Sequence, residues 1–342
     1  MADFIFDFGN ARGKYFRPKA NLYNDFRHAI AFLNESDWRS AVSRGGVPNG
    51  LIKVNGTPVA IGDVARRYTI AERPTGAARY RKDYFGIGLA YALSEGFKKD
   101  VASITLVASH APGDISYAEH LRQAALGIWE VESIHGLNTF KVSDVMTFDE
   151  PIGGYSHYTL TETGGERKRN PLKGQTTLVV DVGGWTVDIA AIDDGEIDPL
   201  SLRSTRAGII RLTDDFESYL RSNNRAMFQD TGDLDIKRVE RALLSGVYNF
   251  GNKKIYCQDE ATSVINALVN DIVGVINKAG GAANYDAILL TGGGAVIIHD
   301  TLVQAYPRID FLYAEENTDL MKYANVFGGA KITALMRAIG VW

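Results

Sequence analysis

Two parts of the chain repeat one alternation of apolar and acidic positions. Residues 178–182 and 186–192 are β-branched and apolar runs, and only Gly183, Gly184 and Trp185 lie between them. Runs joined this tightly predict a hairpin, and glycines at the joint allow the positive φ that such turns require. An acid interrupts each run, Asp181 just before the turn and Asp188 just after it. A carboxylate in an apolar strand is costly unless water, a cation or hydrogen-bond donors meet it. The segment is therefore either an acid-decorated edge hairpin or one lip of a site for a charged ligand. The N-terminus repeats the pattern in FIFDFGNARGKYFRP: a strand, Asp7, Phe8, Gly9, a short polar turn, Lys14 and a second strand. An ordinary hairpin turn explains most single Asp-x-Gly sequences. Two copies, each opening a domain-sized segment, point to two related halves.

Other periodicities fill in the remainder. YDAILLTGGGAVIIHDTLVQAY predicts a buried strand over 287–290, a turn at Gly292, Gly293 and Gly294, and a helix over 296–306. The turn either only needs flexibility or lets a nucleotide approach the backbone, with helix N–H groups facing its phosphates. Asn55-Gly56 between LIKV and TPVAIG is a strong hairpin signal. GDLDIKRVERALLSG has apolar residues at helical spacing, Ile236, Val239 and Leu243, behind an acidic N-cap region, Asp233 and Asp235.

Composition removes several classes of function. With 342 residues, 45% hydrophobic and 23% charged, the chain can bury a sizeable core and is expected to form two domains. A net charge of -4 and a pI near 5.9 give no support to a general nucleic-acid or membrane-surface binder. The single cysteine, Cys257, excludes an internal disulfide framework and suits a reducing compartment. MADFIFDFGN has no basic-then-apolar signal pattern, and no apolar run approaches membrane-spanning length. A soluble, cytoplasmic protein is expected. The six histidines show no metal-binding spacing, so zinc is not expected.

The glycine turns suit phosphate for a physical reason. A tight turn of small residues directs successive N–H groups inward and forms an anion-binding nest. Lys14 adds a positive charge, while Asp7 and Asp181 are placed to hold Mg²⁺ through its waters. GNARGKY is not a P-loop: it has one residue too few between its glycines, and Tyr15 follows Lys14 where Ser or Thr belongs. No G-x-G-x-x-G follows either strand.

The order of these motifs resembles a known superfamily. Asp7-Phe-Gly9-Asn10 with Lys14, the run from Asp181 through Gly183, Gly184, Trp185 and Thr186 to Asp188, and Thr291 with Gly292, Gly293 and Gly294 are similar to the two phosphate motifs and the adenosine motif of the actin/Hsp70/sugar-kinase superfamily. YANVFGGAKI, residues 323–332, resembles its second connecting motif. Within the superfamily the chain is most similar to bacterial and archaeal actin-like proteins of the ParM/StbA type. The resemblance implies an α/β, two-domain actin-like (ribonuclease-H-like) fold with a nucleotide cleft between duplicated domains. Domain I would be 1–158 plus 319–342, with a peripheral subdomain at about 21–81. Domain II would be 176–318, with a helical peripheral subdomain at about 209–280. The polar stretch 162–175 would connect them.

The function it implies is an ATPase that binds Mg-ATP, with GTP as the alternative nucleotide. N–H groups of Gly9, Asn10 and Ala11 and of Gly183, Gly184 and Trp185 would face the phosphates, and Lys14 would meet the β- or γ-phosphate. Asp7, Asp181 and Asp188 would orient Mg²⁺ waters, and Gly292 to Gly294 would approach the α-phosphate and sugar. Glu240 and Lys237 would lie near the base and sugar. In VSDVMTFDEPIGGY the resemblance puts the water-orienting residue at Glu150, with Asp149 as its rival and Asp181 as the second catalytic acid. It further implies filaments of this chain, a DNA-binding adaptor protein and a part in plasmid or other DNA segregation. A small-molecule, sugar-type kinase of the same superfamily is the alternative.

Overall fold

The computed structural model describes residues 2–43, 45–68, 70–72, 74–112, 115–228, 234 and 236–342. The chain divides into two compact units, Met1–Pro171 with Tyr323–Trp342, and Leu172–Lys322. The break after Pro171 has a local cause. Arg167 hydrogen-bonds back to Thr159 O through its backbone and to His157 O through its side chain. Leu172, by contrast, is fully buried in the second unit.

Among the described residues the first unit is built on a nine-stranded sheet. Its strands are β1 (Ala2–Phe8), β2 (Arg12–Arg17), β3 (Leu22–Arg27), β4 (Ile30–Phe32), β5 (Leu51–Val54), β6 (Thr57–Ile61), β7 (Val101–His110), β8 (Gly127–Ser133) and β9 (Gly136–Asp149). Their spatial order is β3-β2-β1-β7-β9-β8-β5-β6-β4. The first three strands form an antiparallel meander, to which β7 and then β9 add in parallel. Helices α1 (Glu35–Val42), α2 (Lys82–Phe97), α3 (Ile115–Ala125) and α4 (Glu150–Thr159) complete this part. The expected peripheral segment joins the main sheet where β5 pairs with β8. It also keeps a small core of its own around Trp38, Leu51 and Ala60. Its hairpin turns at Asn55 (φ +48°) and Gly56 (φ +83°), the two consecutive positive φ angles of a type I′ turn.

The second unit repeats the central part of the first. Strands β10 (Thr176–Val182), β11 (Val187–Asp193) and β12 (Glu196–Thr205) form another antiparallel meander. Helices α5 (Ile209–Asn223), α6 (Arg225–Phe228) and α7 (Ile236–Ser245), a ribbon of β13 (Val247–Phe250) and β14 (Lys253–Tyr256), and helix α8 (Gln258–Lys278) follow. Then β15 (Ala287–Thr291) adds to β10 in parallel, helix α9 (Ala295–Ala305) crosses over, and β16 (Asp310–Tyr313) adds to β15. The order β12-β11-β10-β15-β16 matches β3-β2-β1-β7-β9 strand for strand. Asp233 and Asp235, expected to cap α7, lie outside the described residues.

The chain returns to the first unit as α10 (Ala324–Ala338). There α10 packs on β1 while α2 packs on the same strand. Five consecutive residues of β1, from Phe4 to Phe8, are buried as a result, which is why this strand reads as apolar on both faces except at Asp7. Against α4, α10 makes a backbone contact: a Cβ on Gly328 would lie 1.8 Å from Gly153 O. Small residues at this crossing, Gly153 on α4 and Gly328 on α10, let the two helices touch.

Candidate functional site

In the first unit the site begins at the β1–β2 turn. Phe8 and Gly13 are its last paired residues, so residues 9–12 form the turn, and Asp7 pairs with Lys14 one step back. Directly paired residues share a face of the sheet. Lys14 Nζ donates to Asp7 Oδ2 at 2.6 Å. Asp7 is buried, and its Oδ1 has no hydrogen-bond partner among the described residues. A Cβ on Gly9 would lie 3.0 Å from Arg12 O and within 3.7 Å of both Asp7 Oδ1 and Lys14 Nζ. Glycine therefore keeps the space over this charge pair open. His28, just beyond β3, holds the turn from behind: its backbone N–H donates to Ala11 O, and its Nδ1 lies 2.9 Å from Gly9 O. In a trans peptide the C=O and the next N–H point opposite ways. Drawing Gly9 O toward His28 therefore turns the Asn10 N–H to the other side.

The second unit builds the same device. Val182 and Val187 are the last pair, residues 183–186 form the turn, and Asp181 pairs with Asp188 one step back. The segment after the third strand again grips the turn's carbonyls. Gly208, Ile209 and Ile210 donate to the oxygens of Trp185, Gly183 and Gly184. By the same peptide geometry the N–H groups of Gly184, Trp185 and Thr186 face away from that grip. The Gly183 N–H donates to Thr186 O at 2.9 Å and closes the turn itself. Trp185 sits half-buried in the turn without disturbing its pairing. Asp181 and Asp188 are both buried, and Thr186 Oγ1 donates to Asp188 Oδ2 at 2.8 Å.

The glycine triplet meets this hairpin edge-on. Gly292 has φ +83°, and a Cβ there would lie 2.2 Å from Asp181 Oδ1. Gly294 donates to Val182 O at 2.9 Å. Gly293 faces elsewhere, with Lys322 Cβ the nearest atom to its imagined Cβ.

Glu150 opens α4 and is buried, as is Arg79, whose Nη2 donates to Glu150 Oε1 at 2.7 Å. Arg79 also donates to the Tyr80 hydroxyl, which accepts the Ala111 N–H at 2.9 Å. Burial pushes the Glu150 carboxyl above its ordinary range, with Asp7 adding to the rise and Arg79, Lys14 and His110 opposing it. Burial works against the charge of Arg79 too, but Tyr80, Glu150 and Asp7 outweigh it and hold the guanidinium protonated. Asp149 is raised by burial, with His110 opposing; Asp149 Oδ1 lies 3.4 Å from His110 Nδ1.

The sequence-derived candidates thus fall into two groups. Asp7, Gly9, Asn10, Ala11, Lys14 and Glu150 belong to the first unit; Asp181, Gly183, Gly184, Trp185, Asp188 and Gly292 to Gly294 belong to the second. Glu240 is half-buried on α7, and the Lys237 side chain lies outside the described residues. His28, Arg79 and Gly208 are not among the residues that the sequence motifs single out. Of these only Gly208 has a legible cue, a glycine between a strand and an amphipathic helix. Among the described residues no three His, Cys, Asp or Glu side chains come together as a metal cage. In the second unit the adjacent buried acids Asp181 and Asp188 suit Mg²⁺ that keeps most of its waters, and in the first unit the Asp7 Oδ1 is an acceptor without a partner among the described residues.

No protein-family model matches the chain, and no curated protein matches it. Solved structures do, and they define its class: the chain has the actin-like fold. Ta0583, an archaeal actin homologue, aligns with a TM-score of 0.78 at 17% identity over 99% of this chain and 100% of its own. Bacillus thuringiensis ParM with ATP gives 0.70 at 16% identity over 99% and 100%. Apo psk41 ParM gives 0.68 at 15% over 99% and 98%.

Proposed function

We propose that this chain is an actin-like ATPase that binds Mg-ATP through its two turns, hydrolyses it and assembles with copies of itself into nucleotide-dependent filaments. One observation carries the reading. Both units place an acid at the same register beside a turn whose carbonyls are held from behind, leaving N–H groups to face a ligand. The comparisons agree with it. Bacillus thuringiensis ParM was solved with ATP and with AMPPNP, Ta0583 with ADP, and a pCBH ParM is described as a non-polymerisable mutant.

In this mechanism the N–H groups of Asn10, Gly184 and Trp185 bind phosphate oxygens, with Gly9, Ala11 and Gly183 shaping the turns. Lys14 meets the β- or γ-phosphate. Asp7 and Asp181, with Asp188 beside it, would hold Mg²⁺ through its waters. Bound Mg²⁺ would neutralise charge that spreads over the transferred phosphoryl group. Gly292 to Gly294 let the α-phosphate and sugar approach the backbone. Glu150 orients the attacking water. A protomer whose one face binds a different face of the next forms a heterologous contact that builds filaments. Within the ParM-like reading those filaments move DNA in the cytoplasm through an adaptor protein, which suits an acidic chain.

The test is phosphate release and sedimentation of purified protein with Mg-ATP. Turnover and pelleting above a critical concentration are expected. Protein that stays monomeric at every concentration and releases ADP only with a sugar acceptor would transfer the chain to the kinases.

A further inference from the structure

One cluster of the first unit goes beyond the roles assigned so far. Arg79 is 2% exposed, and its guanidinium reaches both Glu150 and the Tyr80 hydroxyl. Its Nε has no partner among the described residues. A fully buried arginine is costly unless it is paired and hydrogen-bonded, so its placement needs a reason. The segment that carries it is tied to the first turn: the Gly76 N–H donates to Asn10 Oδ1 at 3.0 Å. Gly76 opens the 3₁₀ turn Gly76–Tyr80, and Asn10 is itself buried. The Gly76–Tyr80 segment therefore links Asn10, through its first residue, to Glu150, through Arg79.

We propose that Arg79 is a positioning residue, which aims the Glu150 carboxylate through their buried ion pair and ties that aim to the phosphate turn through Asn10. The proposal rests on the reading of Glu150 as the water-orienting residue. A carboxylate on the first turn of α4 has freedom about three side-chain torsions. Glu150 Oε1 is fixed by Arg79, and Arg79 is fixed in turn by Tyr80, whose hydroxyl is anchored on the Ala111 N–H. Aim of this kind acts on chemistry more than on binding, because it matters when water attacks and not when nucleotide docks.

A double-mutant cycle tests it. Arg79→Met should lower kcat for phosphate release at least tenfold while KM for ATP changes less than threefold. Arg79→Lys keeps the charge and should restore most of kcat. In a Glu150→Gln background, Arg79→Met should change kcat less than twofold, because the residue it acts through is already lost. Melting of the nucleotide-free proteins gives a reading independent of turnover. Arg79→Met alone strands a buried carboxylate and should melt below Arg79→Met/Glu150→Gln. Should Arg79→Met not fold, Arg79→Lys and the neutral double variant carry the test against Glu150→Gln. Substitutions that multiply, or wild-type kcat in Arg79→Met beside a slow Glu150→Gln, overturn the role of Arg79 alone. Wild-type kcat in Glu150→Gln overturns the hydrolysis reading of Glu150, and this proposal with it.

Discussion

Replacing Gly292 by alanine distinguishes a turn that only needs flexibility from one that must let backbone pass a carboxylate. Two costs add. At φ +83° an L side chain is strained by about 1–2 kcal/mol. The new Cβ would also lie 2.2 Å from Asp181 Oδ1 and 2.6 Å from Val182 O. The carboxylate can swing aside but the carbonyl is fixed in β10, so overpacking adds about 1–3 kcal/mol. Together the loss is roughly 2–5 kcal/mol. With an m-value of about 3 kcal/mol per molar urea, the unfolding midpoint should fall by roughly 0.7–1.7 M. Gly293→Ala is the control. Its Cβ would meet nothing nearer than Lys322 Cβ at 3.4 Å, and its φ is not positive, so its stability should stay within about 0.5 kcal/mol of wild type. Urea unfolding followed by circular dichroism reads the stability of both. Affinity for a fluorescent ATP analogue in Mg²⁺ reads the site, and Gly292→Ala, which pushes Asp181 aside, should lose it. Equal midpoints for the two variants would refute the close approach.

Two further outcomes follow from the acids. Asp181→Ala should remain folded and weaken nucleotide binding in Mg²⁺ by about tenfold, or about 1.4 kcal/mol, with little change in EDTA; titration of the same fluorescent analogue with and without Mg²⁺ checks this, and an unaltered Mg²⁺ dependence removes Asp181 from the site. Glu150→Ala should bind Mg-ATP almost normally yet release phosphate about a hundredfold more slowly, with any filaments lasting longer, while Asp149→Ala stays near wild type. Phosphate release and filament lifetime measured side by side decide it, and the reverse ranking would move the role to Asp149.

Backbone-determined features were the most legible. Asn55-Gly56 announces its type I′ turn because few other dipeptides accept two positive φ angles. The Asp-x-Gly hairpins show because a carboxylate breaks an otherwise apolar run. The Gly292 turn shows because glycines separate a strand from a helix. What stayed hidden was long-range. Arg79 lies in RYRKDY, a run that looks like a solvated face, and only the approach of Glu150, distant in sequence, makes it a buried pair. His28 grips the first turn through one ring nitrogen and one backbone N–H, a role that no local pattern encodes. The β13–β14 ribbon falls inside a stretch that reads as helical. Its signal was present in the alternation of VYNF and KKIY about Gly251-Asn252, but four-residue strands are easily overrun by flanking helical periodicity.

The two hairpins agree in shape and disagree in sign. Where the first sets Lys14 across from its acid, the second sets another acid, Asp188. If the halves arose by copying one segment, the copies kept their geometry and exchanged a cation for an anion at a single register position. The consequence is a difference in what each turn asks of a counter-ion. On the proposed function, phosphate without its metal would meet a lysine paired with its own acid at the first turn and two carboxylates at the second, so the second turn would depend more on Mg²⁺. The same turn geometry carries its own counter-charge in one unit and lacks it in the other.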